Sequence, residues 1–324
     1  MGSAAPEPER LVGDGLIVGV DGGGSRCTAV LARATPAGGL VELGRGHGGP
    51  ANVLASGPEA AGASILAALD EAFARAGIPR QRAAAACLGL AGVGRPAERG
   101  QAEAWAAAAA VAERVVVVTD AELVLAGEPP WGVALIAGTG SLAIGRAPSG
   151  ETARSGGWGP ILGDEGSGYA IAVSALRAVA RMADGRGPPT ELAARLTERF
   201  AAADAAGLVT ILGRAGSPRR EIAAAAADVV AAADAGDAVA AAILATAAEE
   251  LATQVAVVAR RLGLPAGGYP LRIGGGLAVH SPGLRRLVSA ALEAAGCPPG
   301  EVTLVTEPTL AAARLAATML LAAL

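Results

Sequence analysis

The sequence contains no lysine, so arginine supplies every permanent cation among its 324 residues. A Walker A loop places a lysine on the nucleotide phosphates, protein kinases use a lysine on a strand, and a Schiff base requires an amine. All three chemistries are therefore excluded. The formal net charge is −4 and there is no long basic run, which argues against nucleic acid as a partner.

Histidine and cysteine are nearly as scarce. The two histidines, His47 and His280, are too few for a histidine-rich metal site, and neither lies in an HExxH pattern. The three cysteines are far apart in the sequence and form no CxxC pair. We therefore expect reduced thiols that pack as small apolar side chains in a cytoplasmic protein. They are Cys27, Cys87 and Cys297.

The sequence predicts neither a secretory signal nor a membrane span. The first ten residues are polar and carry acidic side chains, so residues 1–13 are predicted to form a loose tail. The most apolar helical stretch covers residues 308–324, contains Arg314 and is shorter than the roughly 20 residues that a span requires. It therefore predicts a buried helix and no membrane partner.

Strand and helix patterns alternate along the chain in two similar halves. The first half begins with the strand LIVGVDGGG and ends with the strand RVVVVTD and a short helix. A strand, a glycine turn and a strand then occur again in WGVALIAGTGSLAIGRA. A helix is predicted over GDEGSGYAIAVSALRAVARMA, residues 190–263 are helical in pattern with one helix starting at Ser217-Pro218, and the last helix begins at Pro308. The alternation and the chain length predict an α/β protein with two related domains.

Two glycine turns between strands carry hydroxyl residues, and a third glycine cluster follows a later strand. Backbone N–H groups in such turns bind phosphate oxygens, and glycine permits close approach and positive φ. A single turn of this kind is better explained as a plain hairpin, so it is the combination that indicates a phosphate site. The turns are Gly22-Gly23-Gly24-Ser25, Gly138-Thr139-Gly140-Ser141 and Gly274-Gly275-Gly276.

A dinucleotide-binding site is the competing interpretation of the glycines. The segments GTGSLA and GVGRPA both fit its glycine spacing. That site requires a strand before the glycines and a helix directly after them. A strand pattern follows Ser141, and the strand pattern before GVGRPA is weak, so the sequence disfavours a Rossmann site.

Three aspartates lie where chemistry is expected. Asp21 ends the first strand, Asp120 ends the VVVV strand and opens a helix, and Asp164 lies in GDEGSGY. Asp120 and Asp164 are also explained as ordinary helix caps. Ligands bind at the carboxyl ends of parallel strands, however, where one carboxylate can hold hydrated Mg²⁺ and another can orient a substrate hydroxyl. That division suits phosphoryl transfer.

The motifs VDGGGS, TDAE, IAGTGS, GGWGPILGDEGSGY and IGGG, in this order, resemble the BadF-type ATPase and N-acetylglucosamine kinase family. This family belongs to the sugar kinase, Hsp70 and actin superfamily. The resemblance implies a two-domain actin-like ATPase fold, which is a duplicated RNase H-like α/β architecture with a ligand cleft between the domains. The implied segments are a tail at 1–13, an N-terminal domain at 14–122, a C-terminal domain with a helical insertion at 123–306, and a helix at 307–324 that returns to the N-terminal domain.

The resemblance also implies an activity, which is the ATP-dependent phosphorylation of an amino sugar, N-acetyl-D-glucosamine first, at the 6-hydroxyl. Asp21 is similar to the carboxylate that holds Mg²⁺ through water, and Asp120 is similar to the catalytic base. The residues implied to bind ATP are Asp21, Gly22, Gly23, Gly24, Ser25, Gly138, Thr139, Gly140, Gly275 and Gly276. The residues implied to bind the sugar are Asn52, Asp120, Ser141, Gly157, Trp158, Gly159 and Asp164.

Several alternatives stay open. Glucosamine kinases resemble the N-terminal half, although their second domain departs from GGWGPILGDEGSG, and Val53 and Leu54 stand where some relatives have a tryptophan that follows the sugar-binding asparagine. An ATPase that activates a redox partner would need two cluster-binding cysteines per subunit, and Cys87 and Cys297 lack glycine-rich cysteine partners. A third alternative is a sensor without turnover. ATP and a small amino sugar are the expected partners, and a homodimer is left open.

Overall fold

The computed structural model describes residues 15–35, 39–213 and 219–321. The chain divides into two compact units, of which the first comprises Met1–Ala126 with Glu307–Leu324 and the second comprises Gly127–Thr306. The sequence-based boundaries fall after residues 122 and 306. The first differs because the short helix at Asp120–Leu125 buries Leu123 in the core of the first unit. The predicted tail and the predicted helix start at Ser217-Pro218 lie outside the described residues.

Ten strands occur in the described parts of the chain, five in each unit. In chain order they are β1 (Leu16–Gly22), β2 (Cys27–Ala34), β3 (Leu40–Gly48), β4 (Ala83–Leu90), β5 (Ala112–Thr119), β6 (Gly132–Ala137), β7 (Ser141–Arg146), β8 (Thr152–Gly156), β9 (Pro270–Gly274) and β10 (Glu301–Leu304).

Helices alternate with these strands and cluster late in the second unit. Across the same described residues they are α1 (Val53–Ser56), α2 (Pro58–Arg75), α3 (Pro96–Ala108), α4 (Asp120–Leu125), α5 (Gly168–Ala183), α6 (Leu192–Arg199), α7 (Ala205–Leu212), α8 (Arg219–Ala224), α9 (Ala226–Asp234), α10 (Ala238–Arg261), α11 (Gly276–His280), α12 (Pro282–Ala294) and α13 (Pro308–Leu321).

The two sheets share one topology. The first has the order β3-β2-β1-β4-β5 and the second the order β8-β7-β6-β9-β10. In each sheet the first three strands in sequence are antiparallel, and the last two extend the sheet in parallel with its first strand. The predicted α/β architecture of two related halves is therefore confirmed.

Both faces of the first sheet are covered. Val18 and Val20 of β1 pack in the core beneath α2, and Ile17 packs on the opposite face with Ala312 and Ala316 of α13. This alternation follows from the two-residue period of a strand. The C-terminal helix is thus buried against β1, as its apolar composition predicts.

The second unit has two apolar cores. One lies between its sheet and the helices α10 and α12, and the other lies among α5, α6, α9 and the first half of α10. Within the described residues α10 is the one helix that is long and apolar enough to cross a membrane, with a mean hydropathy of 1.4. Half of its apolar window is buried in the fold, as expected for a core helix.

The helix α5 begins later than its sequence pattern predicts. The pattern includes Gly163–Ser167, but Asp164 has a φ of 61°, which is the left-handed conformation that an α-helix does not contain. Ser167 then caps the helix, because its hydroxyl accepts the Ala170 N–H. The short helices α1 and α11 are not predicted from the sequence, since each has only one turn or so of periodicity.

All three cysteines are free and buried. Burial is the main cause that raises the pKa of the Cys27 and Cys87 thiols to about 12. Thiols with such pKa values are poor nucleophiles and poor metal ligands. The prediction that they pack as small apolar side chains is confirmed.

Gly19 allows α13 to lie directly on β1, which gives the first prediction. A Cβ atom at this position would lie 2.4 Å from the Ala313 nitrogen and 2.5 Å from the Thr309 carbonyl oxygen. Backbone atoms cannot yield as a flexible side chain does, so Gly19→Ala must displace the helix. We expect the free energy of unfolding to fall by about 2 kcal/mol, measured by urea titration followed by circular dichroism.

Gly100→Ala is the matched control. Gly100 lies in α3, and a Cβ atom there would meet open space. We expect it to raise the free energy of unfolding by about 0.5–1 kcal/mol, because alanine is the better helix former. A Gly19→Ala variant that is as stable as the wild type would contradict the close approach of α13 to β1.

Candidate functional site

Asp21 and Asp120 lie at the same edge of the first sheet. In the parallel registers Asp21 pairs with Gly89, and Gly89 pairs with Val118. Asp120 follows β5 directly and begins α4. The two aspartates are thus at the carboxyl ends of β1 and β5, on either side of β4, which is where parallel strands present ligand-binding residues.

Neighbouring side chains fix the position of Asp120. The Thr119 hydroxyl accepts the Glu122 N–H at 3.1 Å, and the Glu122 carboxylate accepts the Thr119 N–H at 2.7 Å, forming a capping box. Arg99 forms an ion pair with Glu122 at 3.0 Å. The helix cap is therefore Thr119, and the interpretation of Asp120 as a mere cap is wrong. Asp164 is not a cap either, because Ser167 caps α5.

The two carboxylates interact electrostatically. Burial, followed by the charge of Asp120, raises the pKa of Asp21 to about 7, and the charge of Arg26 opposes this shift. A buried carboxylate with a second negative charge nearby favours its protonated form unless a cation joins it. This edge of the sheet therefore provides a site for positive charge.

The first glycine turn is connected to the neighbouring loops by backbone hydrogen bonds. The Gly23 N–H donates to the Arg26 carbonyl at 3.0 Å and closes the turn. The Gly22 carbonyl accepts the Ala91 N–H at 2.8 Å, and the Gly23 carbonyl accepts the Ala51 N–H at 3.0 Å. The turn that contains Gly22, Gly23, Gly24 and Ser25 is thereby held next to the segments that follow β3 and β4.

Asn52 lies between this turn and the loop after β4. It is the only asparagine in the sequence. Its Oδ1 accepts the Ala55 N–H at 3.0 Å and caps α1, which leaves its Nδ2 amide group on the side of Gly24. Gly92, with a φ of 84°, makes room for it, because a Cβ atom there would lie 2.4 Å from Oδ1. Sequence reasoning singled out the loop of Gly92 but not this glycine.

The other two glycine turns lie side by side in the second unit. The strands β6 and β9 are parallel neighbours, so the turns that follow them share one sheet edge. A Cβ atom on Gly138 would lie 3.7 Å from the Gly275 Cα atom. Gly275 has a φ of 87°, and any side chain there would collide with the backbone of Ala137 at 2.5 Å. The structure thus brings Gly138, Thr139 and Gly140 together with Gly275 and Gly276.

The segment from Gly156 to Gly159 has a backbone that only glycine adopts readily. Gly156, Gly157 and Gly159 have φ values of 78°, 70° and 87°. The Gly157 N–H donates to the Ser141 carbonyl at 2.9 Å, so this segment adjoins the glycine turn between β6 and β7. Trp158 is 66% exposed, and the interpretation of it as a core aromatic is wrong.

A buried polar cluster lies behind the second turn. The Ser141 hydroxyl donates to the Glu165 carbonyl at 2.6 Å, and the Gln254 amide donates to the same carbonyl at 3.1 Å. The hydroxyl of Ser141 is therefore engaged inside the protein, and its contact with a sugar stays a prediction. Sequence reasoning missed Gln254, although a lone glutamine in an alanine-rich helix is a detectable signal.

Asp164 joins this cluster through both carboxylate oxygens. Its Oδ1 atom lies 3.4 Å from the Ser141 N–H nitrogen, and its Oδ2 atom forms an ion pair with Arg219. Sequence reasoning also missed Arg219, since the two residues are distant in the chain. Of the predicted sugar residues, Asn52 and Asp120 lie in the first unit, and Ser141, Gly157, Trp158, Gly159 and Asp164 lie in the second.

The donor set at Asp21 fits a magnesium ion that arrives with phosphate. Among the residues that the structure describes, no group of three His, Cys, Asp or Glu side chains could form a metal cage. Mg²⁺ is commonly held by one or two carboxylates together with water and substrate phosphates. Asp21, beside a glycine turn and with a raised pKa that a cation would lower, meets that requirement.

Comparisons with known proteins agree with this geometry. The model of the BadF/BadG/BcrA/BcrD ATPase family matches residues 18–296. The chain is 33% identical over 250 residues to the N-acetylmuramic acid/N-acetylglucosamine kinase of Clostridium acetobutylicum, covering 76% of this chain and 80% of that one. It is 30% identical over 197 residues to the N-acetyl-D-glucosamine kinase of Dictyostelium discoideum, covering 57% and 60% of the two chains.

A solved structure supports the same fold. The Chromobacterium violaceum protein assigned as an N-acetylglucosamine kinase superposes with a TM-score of 0.75 at 27% identity, covering 93% of this chain and 98% of that one. The two units with their matching sheets are thus the domains of a two-domain actin-like α/β fold, as predicted.

The raised pKa of Asp21 predicts how stability depends on pH without ligands. The folded pKa is about 7 and the ordinary value is 3.8, so the folded state holds a proton that the unfolded state has lost between these values. The contribution of this group to stability is therefore full below pH 4 and is lost as the pH rises through 7. Relative to the wild type, Asp21→Asn should therefore unfold at a moderately higher temperature at pH 5 and at a much higher temperature at pH 8.

Thermal melts in buffer without divalent cations or nucleotide would measure this effect. Glu113→Gln, which removes an exposed carboxylate from β5 of the same sheet, is the control and should give the same difference from wild type at both pH values. Equal differences for Asp21→Asn at pH 5 and pH 8 would contradict the raised pKa.

Proposed function

Because the chain belongs to the BadF/BadG/BcrA/BcrD ATPase family, we propose that it is an ATP-dependent kinase that phosphorylates N-acetyl-D-glucosamine at its 6-hydroxyl. The observation that carries this proposal is the placement of Asp120 beside Asp21 and the first glycine turn, at the carboxyl edge of one sheet. Both relatives compared above are named as kinases of this sugar.

The glycine turns bind the nucleotide. In the first unit the backbone N–H groups of Gly22–Ser25 bind phosphate oxygens, because turns without side chains allow close approach, and in the second unit the N–H groups of Gly138–Gly140 are suited to the same role. Gly275 and Gly276 adjoin the second of these turns and bind the adenosine side. A chain without lysine must bind phosphate through backbone groups, arginine and metal, and the turns supply the first of these.

Asp21 would hold Mg²⁺ through water. The ion, when bound, neutralises charge on the β- and γ-phosphates. Its positive charge also stabilises the ionised form of Asp21 next to Asp120, which burial and repulsion disfavour in the protein alone. Nucleotide binding and the charge state of this sheet edge are therefore linked.

Asp120 accepts the proton of the attacking 6-hydroxyl. Transfer of a phosphoryl group depends mainly on positioning and charge neutralisation, so the base need only receive the proton late in the reaction. The capping box at Thr119 and the ion pair from Arg99 to Glu122 hold the start of α4, and so they keep the Asp120 carboxylate in place. A base must lie within hydrogen-bond reach of the proton that it accepts, which makes this positioning essential.

The sugar is bound by planar polar groups and by the glycine segment. The Nδ2 group of Asn52 is not used in capping α1 and can donate to a sugar hydroxyl. Gly157 and Gly159 give the segment the backbone that holds it beside Ser141, Trp158 presents an exposed indole, and Asp164 offers carboxylate oxygens. Several convergent groups of this kind are what a ligand with many hydroxyls requires.

N-acetylmuramate is a second candidate substrate. The Clostridium acetobutylicum relative is named for this sugar as well as for N-acetylglucosamine, and it is the more similar of the two kinases. We also propose a cytoplasmic location, because three free thiols persist in a reducing compartment. Activation of a redox partner is disfavoured, since all three cysteines are buried and an iron–sulfur cluster would need accessible thiolates.

Release of ADP from ATP and Mg²⁺ by the purified protein would test this function. The acceptors are N-acetylglucosamine, glucosamine, N-acetylmannosamine, N-acetylmuramate and glucose, with a reaction lacking sugar as the control. We expect the largest kcat/KM with N-acetylglucosamine and at least about 100-fold less ADP release without a sugar. Release of ADP at one rate in every reaction would indicate an ATPase instead, and no release would indicate a sensor.

A further inference from the structure

Asp164 has an unusual environment. Of the acidic residues that the structure describes it is the least exposed, with 4% of its surface accessible. It also has a φ of 61°, a conformation that costs free energy for any residue other than glycine and that persists where surrounding contacts enforce it. A buried charge requires compensation, so the groups around this carboxylate decide how it is oriented.

Arg219 supplies that compensation. Its guanidinium forms an ion pair with Oδ2 of Asp164 and lies over the ring of Tyr169, 5.6 Å from the ring centre. Its Nε atom is buried and has no hydrogen-bond partner among the described residues. The guanidinium is therefore held between a carboxylate and an aromatic ring, although its Nε–H makes no hydrogen bond with the described residues.

The opposite oxygen of Asp164 is less engaged. Among the described residues Oδ1 receives the Ser141 N–H alone, and at 3.4 Å that contact is long for a hydrogen bond. A carboxylate has about four acceptor sites, so lone pairs remain for a ligand hydroxyl. The ion pair on Oδ2 fixes the direction in which those lone pairs point.

The ion pair lies directly beside the second phosphate turn. A Cβ atom on Gly140 would lie 3.1 Å from Oδ1 of Asp164 and 3.2 Å from Nη2 of Arg219. The helix α8, which carries Arg219, packs against the start of α5, where the Ala223 carbonyl would lie 3.1 Å from a Cβ atom on Gly168. Arg219 is thus positioned by the fold and not by a flexible loop contact.

We propose that Arg219 is a positioning residue for sugar binding, which holds the Asp164 carboxylate so that its second oxygen accepts a hydrogen bond from a sugar hydroxyl. This inference rests on the proposed function, in which Asp164 binds the sugar. Without the guanidinium, the buried carboxylate would be uncompensated and would turn away from its present orientation. It would then no longer offer the same acceptor to the sugar.

The kinetic constants for the two substrates distinguish this role from a general effect on folding. Arg219→Gln should raise the KM for N-acetylglucosamine roughly tenfold, about 1.4 kcal/mol, while the KM for ATP and kcat change by less than about threefold. Arg219→Lys should recover part of the loss, because it restores the charge without the planar fork. Arg177→Gln, which changes an exposed arginine of α5, should behave as the wild type.

A double-mutant cycle shows whether Arg219 acts through Asp164. In an Asp164→Asn background, Arg219→Gln should change the sugar KM by less than about twofold, because the carboxylate that it positions is gone. The double variant places two neutral side chains next to each other. If Arg219→Gln alone does not fold, the double variant can therefore still be compared with Asp164→Asn. A tenfold effect of Arg219→Gln in both backgrounds would overturn the inference.

The KM for ATP distinguishes this role of Arg219 from a direct phosphate contact. The sugar-dependent ADP release of the wild type distinguishes a failure of this inference from a failure of the proposed function. An equal rise in the KM for ATP would overturn the inference in favour of a direct phosphate contact, since the guanidinium adjoins Gly140. An active wild type with an unchanged sugar KM in Arg219→Gln would overturn this inference alone. A wild type without sugar-dependent ADP release would overturn the proposed function and this inference together.

Discussion

The candidate site of the first unit depends on one constraint, which is the repulsion between two carboxylates at the same edge of its sheet. Asp21 and Asp120 flank β4 at the carboxyl ends of β1 and β5, and burial together with the charge of Asp120 raises the pKa of Asp21 to about 7. A protein that only needed stability would not keep these groups together. Keeping the two carboxylates close together costs stability, which is understandable if a cation and the phosphates of a nucleotide join them. The glycine turn beside them provides backbone groups for that ligand.

Duplication of one topology explains why a glycine-rich turn follows the first strand of the sheet in both units. Each sheet begins with an antiparallel hairpin whose turn is rich in glycine, and each adds two parallel strands next to the first strand. The two units use the corresponding sheet edge differently. The first places carboxylates there, whereas the second places a buried polar cluster of Ser141, Asp164, Ser167 and Gln254 behind its turn. Gln254 of that cluster also adjoins the glycine segment, because a Cβ atom on Gly156 would lie 2.6 Å from its Oε1 atom.

Local patterns predicted most of the fold, and contacts between distant residues account for what they missed. The strand RVVVVTD and the helix that begins at Pro308 were predictable because a run of β-branched residues and proline are local signals. The start of α5 was not, because Asp164 takes a left-handed conformation that tertiary contacts enforce. For the same reason the candidate site could be predicted at Asp21, Asn52 and Asp120, where motifs are local, but not at Arg219 or Gln254, which reach the site from remote helices.

The central claim is that Asp120 takes the proton from the sugar hydroxyl and is not needed to bind the sugar. Turnover and sugar affinity of Asp120→Asn, measured together beside the wild type, test it most directly. The account predicts that sugar-dependent ADP release falls by about 100-fold or more, while the Kd for N-acetylglucosamine from calorimetry stays within about threefold of the wild-type value. An Asp120→Asn variant that keeps wild-type turnover would contradict it.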